Sequence, residues 1–161
     1  MSMWLALVKI DPALLAALQE HPESVGALFF EDDVPEPLVS GVDPTADSFH
    51  YDYRLLSDMA EGRSEAEKGT PKWHTAYPWL ARATGEDCSA IEGSEFGYGP
   101  AYFLTPHEVG QVAAGLAGEH WTHRNSAAHW NDEAEERDFD DLVPFFAKAA
   151  AEGKAILGGV H

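Results

Sequence analysis

The stretch Gly97-Tyr98-Gly99-Pro100-Ala101-Tyr102-Phe103-Leu104-Thr105-Pro106-His107-Glu108-Val109 decides the fold class. Two glycines and a proline make a turn, because glycine accepts backbone angles that other residues avoid and proline fixes its own. Ala101 to Leu104 is a short apolar run with the length of a buried strand. Thr105-Pro106-His107-Glu108 then has the spacing of a capping box. The threonine hydroxyl accepts the N–H three residues on, and the glutamate reaches back to the threonine N–H. Val109, Val112, Ala113 and Leu116 recur at helical spacing, and Gly118 ends the helix. A strand that passes at once into an amphipathic helix argues for mixed secondary structure around one core.

The chain on either side repeats the pattern. Phe139, Leu142, Val143, Phe146 and Ala150 predict a second amphipathic helix stopped at Gly153, and Ala155-Ile156-Leu157 with Val160 predicts a closing strand. At the other end, Met3 to Ile10 reads as a buried strand. Asp11-Pro12 then caps a helix striped by Leu14, Leu15 and Leu18, and His21-Pro22 closes it. A short helix over about 23–30 follows from Val25, Leu28 and Phe29. Residues 31–47 hold six acids and no base and read as an irregular excursion, after which 49–53 re-enters as a short strand or helix start. Residues 57–69 are polar and read as an exposed connection. Thr70-Pro71 opens the aromatic segment Trp73, His74, Tyr77, Trp79, Leu80, which Pro78 kinks or splits and Thr84-Gly85 ends. The expectation is a single α+β domain, 1–161, with a small mixed or antiparallel sheet packed by amphipathic helices.

Charge and compartment narrow the function classes. The chain has 161 residues, 10 Lys+Arg against 28 Asp+Glu, and a net charge of −18. Such a charge repels phosphate backbones and anionic lipid, so nucleic-acid and membrane-surface binding are not expected, and a basic protein is the favoured kind of partner. Cys88 stands alone, which excludes a disulfide-stapled scaffold. The opening apolar run has no basic leader before it and meets Lys9 and Asp11 at once; no window reaches the length of a membrane span. A cytoplasmic protein is expected.

The block 97–109, with Phe145 to Ala150 and Gly153 to Leu157, resembles the YfbM-like family of bacterial domains of unknown function. The opening strand through Ile10-Asp11 and Lys72-Trp73-His74 before Thr84-Gly85 resemble it more loosely. Tyr102 stands where that family usually carries arginine. The resemblance implies an α+β fold and a bacterial, cytoplasmic origin, and it implies no reaction.

Four constellations carry chemistry. His120 and His123 at i and i+3, with His129 or Asp132, are weak candidates for transition-metal ligands, without the fixed spacing of zinc motifs. Gly97 to Pro100 offers backbone N–H groups to an anion, but it holds no basic residue and has neither GK[ST] nor dinucleotide glycine spacing, so a structural turn is the better reading. Trp73, His74, Tyr77 and Trp79, with Tyr98 and Tyr102, form a candidate aromatic pocket, although aromatics at these spacings more often pack a core. Within such a pocket His74 and a carboxylate make an acid–base pair. Cys88 and Ser89 sit in no nucleophile motif, and no cofactor is called for. The acid run 132–141 sets seven carboxylates against Arg137; its later acids suit a helix N-terminus, whereas Asp132, Glu133, Glu135 and Glu136 are a candidate acidic docking face. Protein binding or neutralisation is therefore the first reading. A small hydrolase-like or metal-binding protein built on His74 or on His120, His123 and His129 is the alternative, and a domain whose acidity serves solubility is the third.

Overall fold

The structure is a computed structural model and describes residues 3–30, 48–94, 96–121 and 139–161. Its centre is an antiparallel five-stranded sheet of order β2-β1-β5-β4-β3: β1 is Trp4–Ile10, β2 Ser48–Asp52, β3 Ser89–Ala90, β4 Tyr102–Leu104 and β5 Ala155–Val160. Helices α1 (Pro12–Glu20) and α2 (Val25–Phe30) follow β1. Helix α3 (Tyr53–Ser64) follows β2 directly, and α4 (Lys72–Ala76) and α5 (Pro78–Ala83) precede β3. Helix α6 (Pro106–Glu119) follows β4, and α7 (Leu142–Ala151) leads into β5. The fold is α+β, and the sheet is antiparallel throughout.

β1 shows why its sequence is apolar at almost every position. Its side chains alternate between two faces, and both faces are covered. Leu5 and Leu7 enter the larger cluster with Tyr51, Leu56, Met59, Trp73, Leu116 and Phe146. Ala6, Val8 and Ile10 enter the smaller one with Leu14, Leu18, Val25, Phe96 and Leu157. Lys9 is the exception, 4% exposed, and its ammonium pairs with Glu152 at the end of α7. Lys154 pairs with Asp11, so two ion pairs join the β1–α1 corner to the α7–β5 corner.

Several local expectations hold. The capping box at Thr105 and Glu108 is complete, and Pro78 divides the aromatic segment into α4 and α5. The 23–30 segment begins as a 3-10 turn, Pro22–Ser24, before α2.

Others are corrected. The polar stretch after 57 continues α3 as far as Ser64, because Leu55, Leu56, Met59 and Ala60 form a buried stripe under a polar outer face. Asp11 occupies the N-cap position of α1 but its carboxylate does not cap; it is engaged by Lys154. Thr70 likewise turns its hydroxyl to the Glu67 carbonyl, leaving Pro71 at the N-cap of α4. Helix α6 ends one residue beyond Gly118, with His120 in a left-handed cap at φ 55.

Candidate functional site

A cap at the end of β2 positions the first side chain of the site. The Asp52 carboxylate accepts the Arg54 N–H at 2.9 Å and the Leu55 N–H at 3.3 Å, while the Tyr53 N–H donates to the Met3 carbonyl at 2.9 Å. Tyr53 is thereby fixed where strand becomes helix. On the facing segment, Trp73 is buried and meets the His74 ring edge-on, 4.0 Å between centroids. That contact leaves His74 at the surface of the core.

Two adjoining cavities are both lined by Tyr53 and His74. The larger, about 620 Å³, runs along α3 past Ser57, Asp58 and Glu61, with Arg54 and Lys68 at its wall. Glu61 is only 6% exposed, and its carboxylate accepts the Gly69 N–H at 3.0 Å, which ties the loop after α3 to that wall. The smaller, about 250 Å³, is lined by Glu86, Cys88, Tyr98 and Tyr102.

The titratable groups around these cavities are unequal. His74 Nδ1 lies 3.6 Å from Glu86 Oε2, a charge-pairing distance too long for a hydrogen bond. Burial pushes the Tyr53 phenol above its ordinary value; a hydrogen bond with Ser57 works against that, and Glu86 and Glu61 reinforce it. Tyr53 is therefore a neutral donor at physiological pH. Tyr102 is buried, which drives its phenol well up, and it donates to the Ala83 carbonyl at 2.9 Å. Burial pushes the Cys88 thiol up to about 11, and the thiol donates to the Arg82 carbonyl at 3.1 Å, so it is no thiolate nucleophile at neutral pH. An imidazole, a carboxylate and a neutral phenol around a cavity of this size can bind a small polar molecule and exchange a proton with it.

The sequence candidates are distributed between the site and the core. Trp73 and His74 line the larger cavity, and His74, Tyr98 and Tyr102 line the smaller; Tyr98 is 48% exposed. Tyr77 and Trp79 line neither. The Arg63 guanidinium lies 4.8 Å from the Tyr77 ring centroid and 4.4 Å from that of Trp121, beside an edge-to-face ring pair whose own centroids are 4.8 Å apart. Trp79 packs against Gly115 of α6 so closely that a Cβ there would sit 2.1 Å from its ring.

No family model matches the sequence, and no curated protein matches it. A solved structure does. It is that of YfbM from Escherichia coli, a protein of unknown function, with a TM-score of 0.47 and 13% identity over 100% of both chains.

His123, His129, Asp132, Glu133, Glu135 and Glu136 lie outside the described residues. Among the described residues no three His, Cys, Asp or Glu side chains gather as a metal site, and no helix is long and apolar enough to cross a membrane. Tyr53, Glu61 and Glu86 escaped the sequence reading. Asp52 before a helical stripe was the available signal for Tyr53. Nothing local marks the two glutamates, which reach the site through tertiary contacts.

Proposed function

We propose that the protein is a non-catalytic binding protein whose acidic surface captures or neutralises a basic protein. The observation that carries this reading is where the cations are spent. The net charge is −18, yet Lys9, Lys154, Arg82 and Arg54 each face a carboxylate of the same chain: Glu152, Asp11, Glu108 and Asp52. Arg63 donates to the Glu119 carbonyl. Each of these pairs takes up one carboxylate with its cation, so the excess of acids over bases is untouched, and these cations are already engaged when a basic partner approaches. The acids 132, 133, 135 and 136 are the proposed contact. Affinity capture from the native cell, followed by binding measurements on the purified partner, tests this. Affinity is expected to fall roughly tenfold or more between low and high salt, because screened charges attract less. Neutralising Asp132, Glu133, Glu135 and Glu136 to their amides is expected to do the same at low salt. A complex indifferent to both overturns the reading.

A second reading, a small hydrolase-like protein using His74, draws on the His74–Glu86 pair beside Tyr53 at a cavity of about 620 Å³. Trp73, edge-on to His74, is a built-in reporter. A small-molecule screen that changes tryptophan emission in the native protein, but not in Tyr53→Phe or His74→Gln, supports it. Hits that persist in both variants remove it.

A further inference from the structure

Outside the cleft, three rings gather on the sheet face that carries Ala6 and Val8. His50 of β2 pairs in register with Ala6 of β1, and Ala6 pairs with Gly159 of β5. Trp4 and His161 exchange backbone hydrogen bonds of 2.8 and 2.9 Å, extending the β1–β5 ladder. His50 and His161 thus come from strands on opposite sides of β1. They meet above it across the small side chain of Ala6, while Phe96 covers Gly159. Their Nε2 atoms are 3.4 Å apart.

We propose that His50 and His161 form a two-nitrogen site for a divalent first-row transition metal, with water completing the coordination. Three features of the geometry support this. Two imidazole nitrogens each about 2.0–2.1 Å from a tetrahedral zinc stand roughly 3.3–3.4 Å apart, and the observed separation falls there. It is long for a direct hydrogen bond between two rings. The ring centroids, 5.5 Å apart, are farther from each other than the nitrogens, so the Nε2 atoms are the facing edges of the two rings. Finally, both rings are held in place. Trp4 stacks on His50 at 4.9 Å with planes 9° apart, and Phe96 meets His161 edge-on at 5.9 Å.

The chemistry of the pair selects the class of metal. Imidazole nitrogen suits zinc, copper and nickel, whereas calcium and magnesium require oxygen donors. With two protein ligands the site is open, which leaves positions for water or for a ligand that binds through the metal.

The test is zinc binding to tag-free, metal-stripped full chain, followed by calorimetry and by proton–nitrogen correlation of the histidine rings. The native protein is expected to bind one zinc that shifts the ring signals of His50 and His161 together. His50→Ala and His161→Ala are each expected to weaken that binding roughly tenfold or more. His74→Ala and His120→Ala are expected to retain it, which separates this site from the cleft and from the other histidines. The absence of any zinc-dependent shift of the His50 and His161 ring signals overturns the proposal. So does unchanged affinity in His50→Ala, or a shift confined to one ring. The ring signals are read on the native protein, so the result stands even where a variant folds poorly.

Discussion

Gly115 and Gly110 lie in the same helix and predict opposite outcomes for the same substitution. A Cβ at Gly115 would stand 2.1 Å from the Trp79 ring, and the ring is wedged against α6. Gly115→Ala is expected to cost about 1–3 kcal/mol through overpacking. A Cβ at Gly110 meets nothing within 4 Å, and its backbone is helical. Gly110→Ala is expected to stabilise by about 0.4–1 kcal/mol, because alanine has less chain entropy to lose. Urea denaturation of the two variants beside the native protein measures both signs in one experiment. The contrast was not legible in the sequence, where both are interior helix glycines. Only the position of Trp79, brought in by the Pro78 break, separates them.

At the scale of elements, two glutamates of α6 bind α5 to it from opposite ends. Glu119 accepts the N–H groups of Trp79 and Leu80, each at 3.1 Å, and the Trp121 indole N–H at 2.8 Å. It caps a neighbouring helix whose first N–H groups have no partner of their own, and a negative charge suits that end. Glu119→Ala is expected to cost about 1–3 kcal/mol, the penalty for stranding such donors, and to loosen Trp121, visible as a change in tryptophan emission.

Glu108, at the other end, completes its capping box and pairs with Arg82 at 2.6 Å. Burial acts to raise its carboxyl, but the hydrogen bonds from Thr105 and the Arg82 guanidinium outweigh that and hold it below the usual carboxylate value. A depressed folded value means that the unfolded chain takes up the proton first. The stabilisation is therefore complete above about pH 4.5, the unfolded value, and fades as pH falls through the lower folded one. Glu108→Gln is expected to melt below the native protein at pH 7, and the gap is expected to close as both are taken below about pH 4. Of these contacts the capping box was legible, because its four residues are contiguous. The bridge to Arg82 and the cap supplied by Glu119 were not, since both cross between helices.

For the whole molecule, charge is the dominant property. At −18 the native state repels itself, while Lys9, Arg82 and Lys154 each pair with a carboxylate. Added sodium chloride screens the repulsion more than it weakens a half-buried pair such as Lys9–Glu152. The melting temperature is expected to rise by a few degrees between about 0.02 and 0.5 M salt at pH 7. A flat or falling profile in scanning calorimetry contradicts this account.

The sequence by itself determined the elements whose signals are local. β1 is an unbroken apolar run, the turn at 97–100 leads into β4, the capping box starts α6, and Pro78 divides α4 from α5. These follow from periodicity, glycine and proline geometry and caps, all of which act within a few residues. The tertiary structure decided everything that depends on remote partners. It extended α3 through a stretch that reads as polar, because Met59 and Ala60 find a core to enter. It set the antiparallel strand order, turned Asp11 from a cap into the partner of Lys154, and sent Tyr77 and Trp79 into packing while leaving His74 at a cavity. It also brought His50 within 3.4 Å of a histidine 111 residues away. Side-chain chemistry is written one residue at a time, but a site needs convergence, and convergence is set by how the whole chain buries its apolar surface.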